Sequence, residues 1–169
     1  MPLSPLFAAA ALAFPLHPPA PPSPATTSFA QLKTLVGTWR DAGNAGSPLR
    51  IRFYLTAGNS VLVEEWTARG RQHSMTVYHR DGMALLATHY CPKGNQPRMA
   101  YQPASPGIRF TFRDATNMEH AADSHQHELA FDLSDPARPV RSEVYRSGEG
   151  DEPDRLVLER VPDTAPARP

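Results

Sequence analysis

The stretch "HSMTVYHRDGMALLATHYC", His73 to Cys91, gathers three histidines and the only cysteine of the chain around one Asp-Gly. Imidazole and thiolate are ligands for zinc, and they also serve as general base and nucleophile. Spacing decides between these uses. Asp81-Gly82 between two alternating runs predicts a β-hairpin closed by a two-residue type I′ turn. Such a turn pairs Arg80 with Met83, His79 with Ala84, Val77 with Leu86, Met75 with Thr88 and His73 with Tyr90. Side chains alternate faces along a strand. His73, Met75, Val77 and His79 therefore share a face with Ala84, Leu86, Thr88 and Tyr90, and His89 and Cys91 take the opposite face. His73 and His79 are then roughly 20 Å apart along the strand, at about 3.3 Å per residue. Zinc holds all its ligands within about 2.3 Å. The hairpin alone is not a metal site.

The face carrying Met75, Val77, Leu86 and Tyr90 is the more apolar and is expected to point inward. On it, His79, Thr88 and Tyr90 are the polar groups available to orient a ligand or to bond one another. A second candidate lies in "DSHQHEL", where His125 and His127 are two apart. On a strand both point to one face, about 7 Å apart at their backbones. That is a two-ligand half-site for a metal such as zinc, with Glu64 or Glu65 of "VEEW" available as a third ligand; the alternative is a polar strand end holding ordered water. Leu129, Phe131 and Leu133 share the parity of the two histidines, so this face too is expected to be inward.

Catalytic signatures do not appear. The chain contains no Gly-x-Ser-x-Gly elbow, phosphate loop or His-Glu-x-x-His. Ser74 opposite His89 is the nearest approach to a nucleophile and base, without a third group to orient the histidine. Glu64 and Glu65 are adjacent on a strand and point to opposite faces, so they cannot act as paired carboxylates. The loop "CPKGNQPRM" offers Asn95, Gln96 and Arg98 between Pro92, Gly94 and Pro97, either as a polar site or as a hydrogen-bonded turn.

These residues need a scaffold, and the 169-residue chain supplies one in its middle. Residues 1–28 combine an apolar run, "MPLSPLFAAAALAF", with a Pro-rich stretch, "PLHPPAPPSPATTS". The run is too short to span a bilayer and suits a secretory leader, with Ala11-Leu12-Ala13 as cleavage site, although no basic residue precedes it. The stretch after it suits an extended linker. The expectation is an exported protein, periplasmic or secreted, with no stable membrane insertion after processing. Residues 162–169 read as a disordered tail. Between them, residues 29–161 are long enough for one buried core. The 17 basic and 17 acidic residues all follow the leader and cancel, so nothing steers the domain to nucleic acid. A single cysteine forms no internal disulfide.

"TSFAQLKTLVG" predicts a short helix capped by Thr27 or Ser28, with Phe29, Leu32, Leu35 and Val36 on one face and Gly37 as its stop. After it, short alternating runs such as "LRIRFYL", "SVLVEEW" and "GIRFTF" follow one another between turn residues, about ten in all. In "RIRFYL", Ile51, Phe53 and Leu55 face one way and Arg50, Arg52 and Tyr54 the other. A sheet of that many short strands removes its edges by closing. The prediction is an all-β, up-and-down antiparallel barrel of about ten strands with a short N-terminal helix, a two-sheet sandwich being the alternative.

"LVGTWR", Leu35 to Arg40, resembles the Gly-x-Trp opening of the calycin barrels: lipocalins, fatty-acid-binding proteins and nitrobindin-like proteins. The combination "TVYHRDG", "THYC" and "NQPRM" looks like exported lipocalin-like proteins. The resemblance implies that Gly37 turns the chain into the first strand and that Trp39 closes the barrel base. For a nitrobindin-like protein it would also imply haem on an axial histidine of a late strand. This chain departs from that pattern, because its last histidine is His127.

The functional expectation is a barrel that binds a small, largely apolar molecule inside. Met75, Val77, Leu86, Leu129 and Phe131 would bury it, and His79, Thr88, Tyr90 and His127 would orient it. Two alternatives stand beside this one. The first is a metal-binding protein or metal-dependent enzyme centred on His125 and His127. The second is a packed barrel acting through its surface.

Overall fold

A computed structural model describes residues 21–103 and 107–162. Helix α1 (Pro24–Leu32) and a 3-10 turn (Lys33–Leu35) precede ten strands. These are β1 (Gly37–Asp41), β2 (Leu49–Thr56), β3 (Val61–Ala68), β4 (Arg71–Asp81), β5 (Ala84–Tyr90), β6 (Gln96–Pro103), β7 (Ile108–Thr116), β8 (His125–Asp132), β9 (Val140–Ser147) and β10 (Gly150–Arg160). Each strand pairs antiparallel with its sequence neighbour, and β1 pairs with β10, so the sheet is a closed barrel. This is the predicted all-β, up-and-down architecture, and closure leaves no edge strand among the described residues. Residues 1–20 of the expected leader and linker (1–28) and residues 163–169 of the expected tail (162–169) lie outside the described residues.

Helix α1 starts earlier than expected. Ser23, not Thr27 or Ser28, is the cap: its hydroxyl accepts from the Thr26 amide at 3.2 Å, and Pro24 follows in the first turn. Proline fits there because the amide it lacks would be unbonded anyway. The helix buries Ala25, Phe29 and Leu32 and stoppers one end of the barrel. Behind it the interior is packed solid with Trp39, Phe53, Tyr78, Phe110 and Phe131. Phe131 meets Phe53 edge-on at 6.3 Å and Tyr78 at 6.1 Å, the geometry that aromatic quadrupoles favour.

The base is tied by the last strand. Trp39 is 1 % exposed and its indole donates to Leu35 O at 2.7 Å. Arg160 stacks over that indole at 4.4 Å and donates to Val36 O at 2.9 Å. Gly37 has φ +135°, and a Cβ there would sit 2.2 Å from the Arg160 guanidinium. The turn into β1 therefore requires glycine twice over, for its backbone and for the space the arginine takes.

Two local details of register differ from the sequence reading. In the β4–β5 hairpin Asp81 pairs with Ala84, and the loop is Gly82-Met83 rather than Asp81-Gly82. Gly82 has φ +57° while Met83 does not share the left-handed region, the II′ pattern with glycine first. The true pairs are His79 with Leu86, Thr76 with His89 and Met75 with Tyr90. A shift of two keeps the two side-chain sets together, so His79 and His89 lie on opposite faces as expected. In β8 the register skips between Gln126 and Glu128, leaving His127 as a bulge. A bulge reverses side-chain parity. Leu129 and Phe131 stay inward, and Gln126 joins them in place of the two histidines.

Candidate functional site

The half of the barrel away from α1 is not filled by hydrocarbon. Its interior is built from Glu64 and Trp66 of β3, Ser74 and Thr76 of β4, His89 at the end of β5, Gln126 of β8, and Arg141, Glu143 and Tyr145 of β9. Strand alternation brings them together: Glu64 and Trp66, Ser74 and Thr76, and Arg141, Glu143 and Tyr145 are each two apart. Glu64 is fully buried. It accepts from Trp66 Nε1 at 2.6 Å, from Arg141 Nε at 2.6 Å and from the Tyr78 hydroxyl. All three partners donate, which suits an ionised carboxylate. Arg141 also lies 3.0 Å from Glu143 Oε2 and 4.7 Å from the Trp66 ring. Burial works against its charge, but the carboxylates of Glu64 and Glu143 outweigh that and raise its pKa. Burial and the Glu64 carboxylate push the Tyr78 phenol well up.

Above this charged floor opens a cavity of about 280 Å³ at the mouth opposite the helix. Its walls are Trp66, Ser74, His89, Cys91, Glu143 and Tyr145, with His73, Pro92 and Lys93 at the rim. His89 bridges two hydroxyls, with Nδ1 2.9 Å from Thr76 Oγ1 and Nε2 2.9 Å from the Tyr145 hydroxyl. Burial, reinforced by Arg141, lowers the His89 pKa to about 3. Burial, reinforced by Glu143 and Cys91, raises the Tyr145 phenol. Both groups are held neutral near pH 7. General acid–base work needs a group poised near the working pH, so this array is suited to orienting a guest rather than moving a proton.

The hairpin face expected to point inward points outward. Tyr90 is 45 % exposed, and Met75, Val77, His79 and Thr88 are half-buried on the outer wall. Leu86 is buried on that same outer-facing set. Ser74, Thr76, Tyr78, His89 and Cys91 form the inner set. A uniformly apolar interior would favour the other face, but this half holds ion pairs and hydroxyls that choose polar neighbours. Leu129 and Phe131 are interior as expected, at 0 % and 1 % exposure, but sealed in the packed half. Glu64 and Glu65 do take opposite faces. Thr76, not Ser74, stands across from His89.

His125 and His127 do come together, Nε2 to Nδ1 at 3.2 Å. Arg146 lies 2.7 Å from His127 Nε2, and a guanidinium only donates, so that nitrogen is an acceptor. His127 Nδ1–H then donates to His125 Nε2, and His125 Nδ1–H donates to Asp123 O at 2.7 Å. The rings also pack on Phe112, where β7 parts from β8. As arranged, all four ring nitrogens are used, and a cation would displace the arginine. Among the described residues no group of three or more His, Cys, Asp or Glu side chains converges as metal ligands would.

The loop after Cys91 is a bonded turn: Asn95 Nδ2 donates to Ser124 O at 3.0 Å, and Asn117 Nδ2 to Gly94 O at 2.7 Å. A larger groove of about 650 Å³ runs outside the wall between α1 and the hairpin tips. None of its polar lining residues is buried, so it lacks fixed groups to orient a ligand. The residues missed by sequence are Arg141, Glu143 and Tyr145. Their only signal is the spacing of "RSEVY" on a late strand, which is shared by any solvated strand. No family model matches the chain, and no curated protein matches it either.

Proposed function

We propose that this protein is an exported, calycin-like carrier that holds one compact small molecule, largely apolar with a polar head, in the mouth cavity. The carrying observation is the contrast between the two halves of the interior: one packed with aromatics, the other left open over a floor of buried ion pairs. Concave sites with apolar walls and a few placed polar groups are the usual form of ligand pockets. The neutral His89–Tyr145 pair supports binding over catalysis. The Gly37–Trp39–Arg160 base and the closed meander support the calycin reading, and the apolar leader supports export.

Intrinsic fluorescence tests the reading, since Trp66 lines the cavity. Compact aromatic ligands are expected to change its emission with one-to-one stoichiometry. Ser74→Phe, which puts a ring into the cavity, is expected to abolish that change while leaving the fold's circular dichroism intact. Equal binding by the filled variant would refute the site.

A further inference from the structure

At the cavity end of the barrel, several acceptors lack a donor among the described residues. Glu143 spends one oxygen, Oε2, on both Arg141 and Gln126. Among the described residues its Oε1 makes no hydrogen bond, and the side chain is 13 % exposed where it lines the cavity. Gln126 is fully buried, donates its amide to Glu143, and leaves Oε1 without a donor. The other buried acceptor lacking a partner among the described residues, Asn95 Oδ1, belongs to the same end of the barrel. A buried acceptor without a donor costs about 1–3 kcal/mol; of these three side chains Glu143 lines the cavity, so its carboxylate is the acceptor that a guest's N–H groups would reach.

Formal charge points the same way. Glu64 and Glu143 are two carboxylates against the single guanidinium of Arg141, and His89 adds no charge near pH 7. Lys93 is the opposing cation. It sits exposed at the rim, and the groove that shares Lys93 and Tyr145 with the cavity also carries Asp123, Glu149 and Glu152. A solvent-exposed ammonium is screened by water and salt, whereas charges on a dry floor are not. The aromatic faces of Trp66 and Tyr145 suit a cation's apolar body and its charge.

We propose that the mouth cavity selects an organic cation, a compact primary ammonium or amidinium on an apolar body, with Glu143 reading its charge. This rests on the cavity being the binding site. It differs from that reading in the ligand class it specifies.

An isosteric series separates the two. Benzylammonium, benzyl alcohol and benzoate share shape and differ in charge, and their affinities for the full chain at pH 7 are measured by Trp emission and by calorimetry. The expected order is benzylammonium first, by about tenfold over the alcohol, as suits one charge-assisted hydrogen bond, with benzoate last. Glu143→Gln is expected to erase the advantage of the cation, bringing benzylammonium and benzyl alcohol to similar affinities. Should that variant fail to fold, the ranking on the native protein decides alone. Equal affinities, or benzoate binding most tightly, would overturn the cation assignment and leave the cavity reading standing. No binding by any of the three would overturn both.

Discussion

His89 carries its environment in its chemistry. It sits inside a barrel wall 3 % exposed, bonded to Thr76 and Tyr145, with an arginine below it. Its pKa falls from 6.5 to about 3. A depressed pKa means that the unfolded chain takes up a proton before the folded one does. Stability conferred by neutral His89 is present above pH 6.5 and is lost as pH falls toward 3, by about 1.4 kcal/mol per unit. Urea midpoints measured between pH 6.5 and 5, above the range where exposed carboxylates titrate, are expected to fall on this slope. The same titration of His89→Gln is expected to be much shallower, the slope that remains belonging to His127, whose pKa burial also lowers, and parallel slopes would sink the assignment. At this scale the sequence was half legible. Strand parity put Glu64 and Glu65 on opposite faces and separated His79 from His89. It could not say which face was inside, because the clue it used was apolarity, and Glu64 with its three donors makes the interior polar where His89 stands.

Elements are positioned by a few residues that admit no substitute. Gly37 begins β1 with φ +135° against the Arg160 guanidinium. Gly37→Ala meets both a strained backbone and a clash, and is expected to cost about 1–3 kcal/mol in unfolding experiments. Arg160→Ala removes its bonds to Val36 O and Thr34 O and its stacking on Trp39. The double variant is expected to be less destabilised than the two losses summed, because removing the arginine relieves the alanine. Strict additivity would show that backbone strain alone sets the requirement. Gly-x-Trp was visible in sequence, but its arginine partner was not, since it arrives more than a hundred residues later from the closing strand. The β8 bulge was equally hidden. One extra residue at His127 exchanged Gln126 for the histidines on the inner face, and no turn residue announces it.

The whole barrel is a vessel filled from one end. Helix α1 and the aromatic layer of Phe53, Phe131 and Tyr78 close the lower half, and the buried Arg141–Glu64 pair forms a floor across the middle. Above that floor the described residues leave an interior volume of about 280 Å³ open at the mouth. Closure of ten strands was legible from the meander and the turn signals. The division of the interior was not, because occupancy depends on which side chains from distant strands meet. A floor made of a buried ion pair is stiffer than one of methyl groups, since moving either partner leaves a charge unpaired in a dry site at a cost of about 3–5 kcal/mol. A homologous series of n-alkyl ligands measures the depth directly. Affinity is expected to rise by about 0.8 kcal/mol per methylene while the chain fills the cavity, then to stop rising once its end reaches Arg141. Long-chain fatty acids are therefore expected to bind no better than the short homologue that fills the mouth. Affinity that climbs steadily to long chains would mean that the floor parts and the aromatic layer yields, and the two-compartment interior would have to be abandoned.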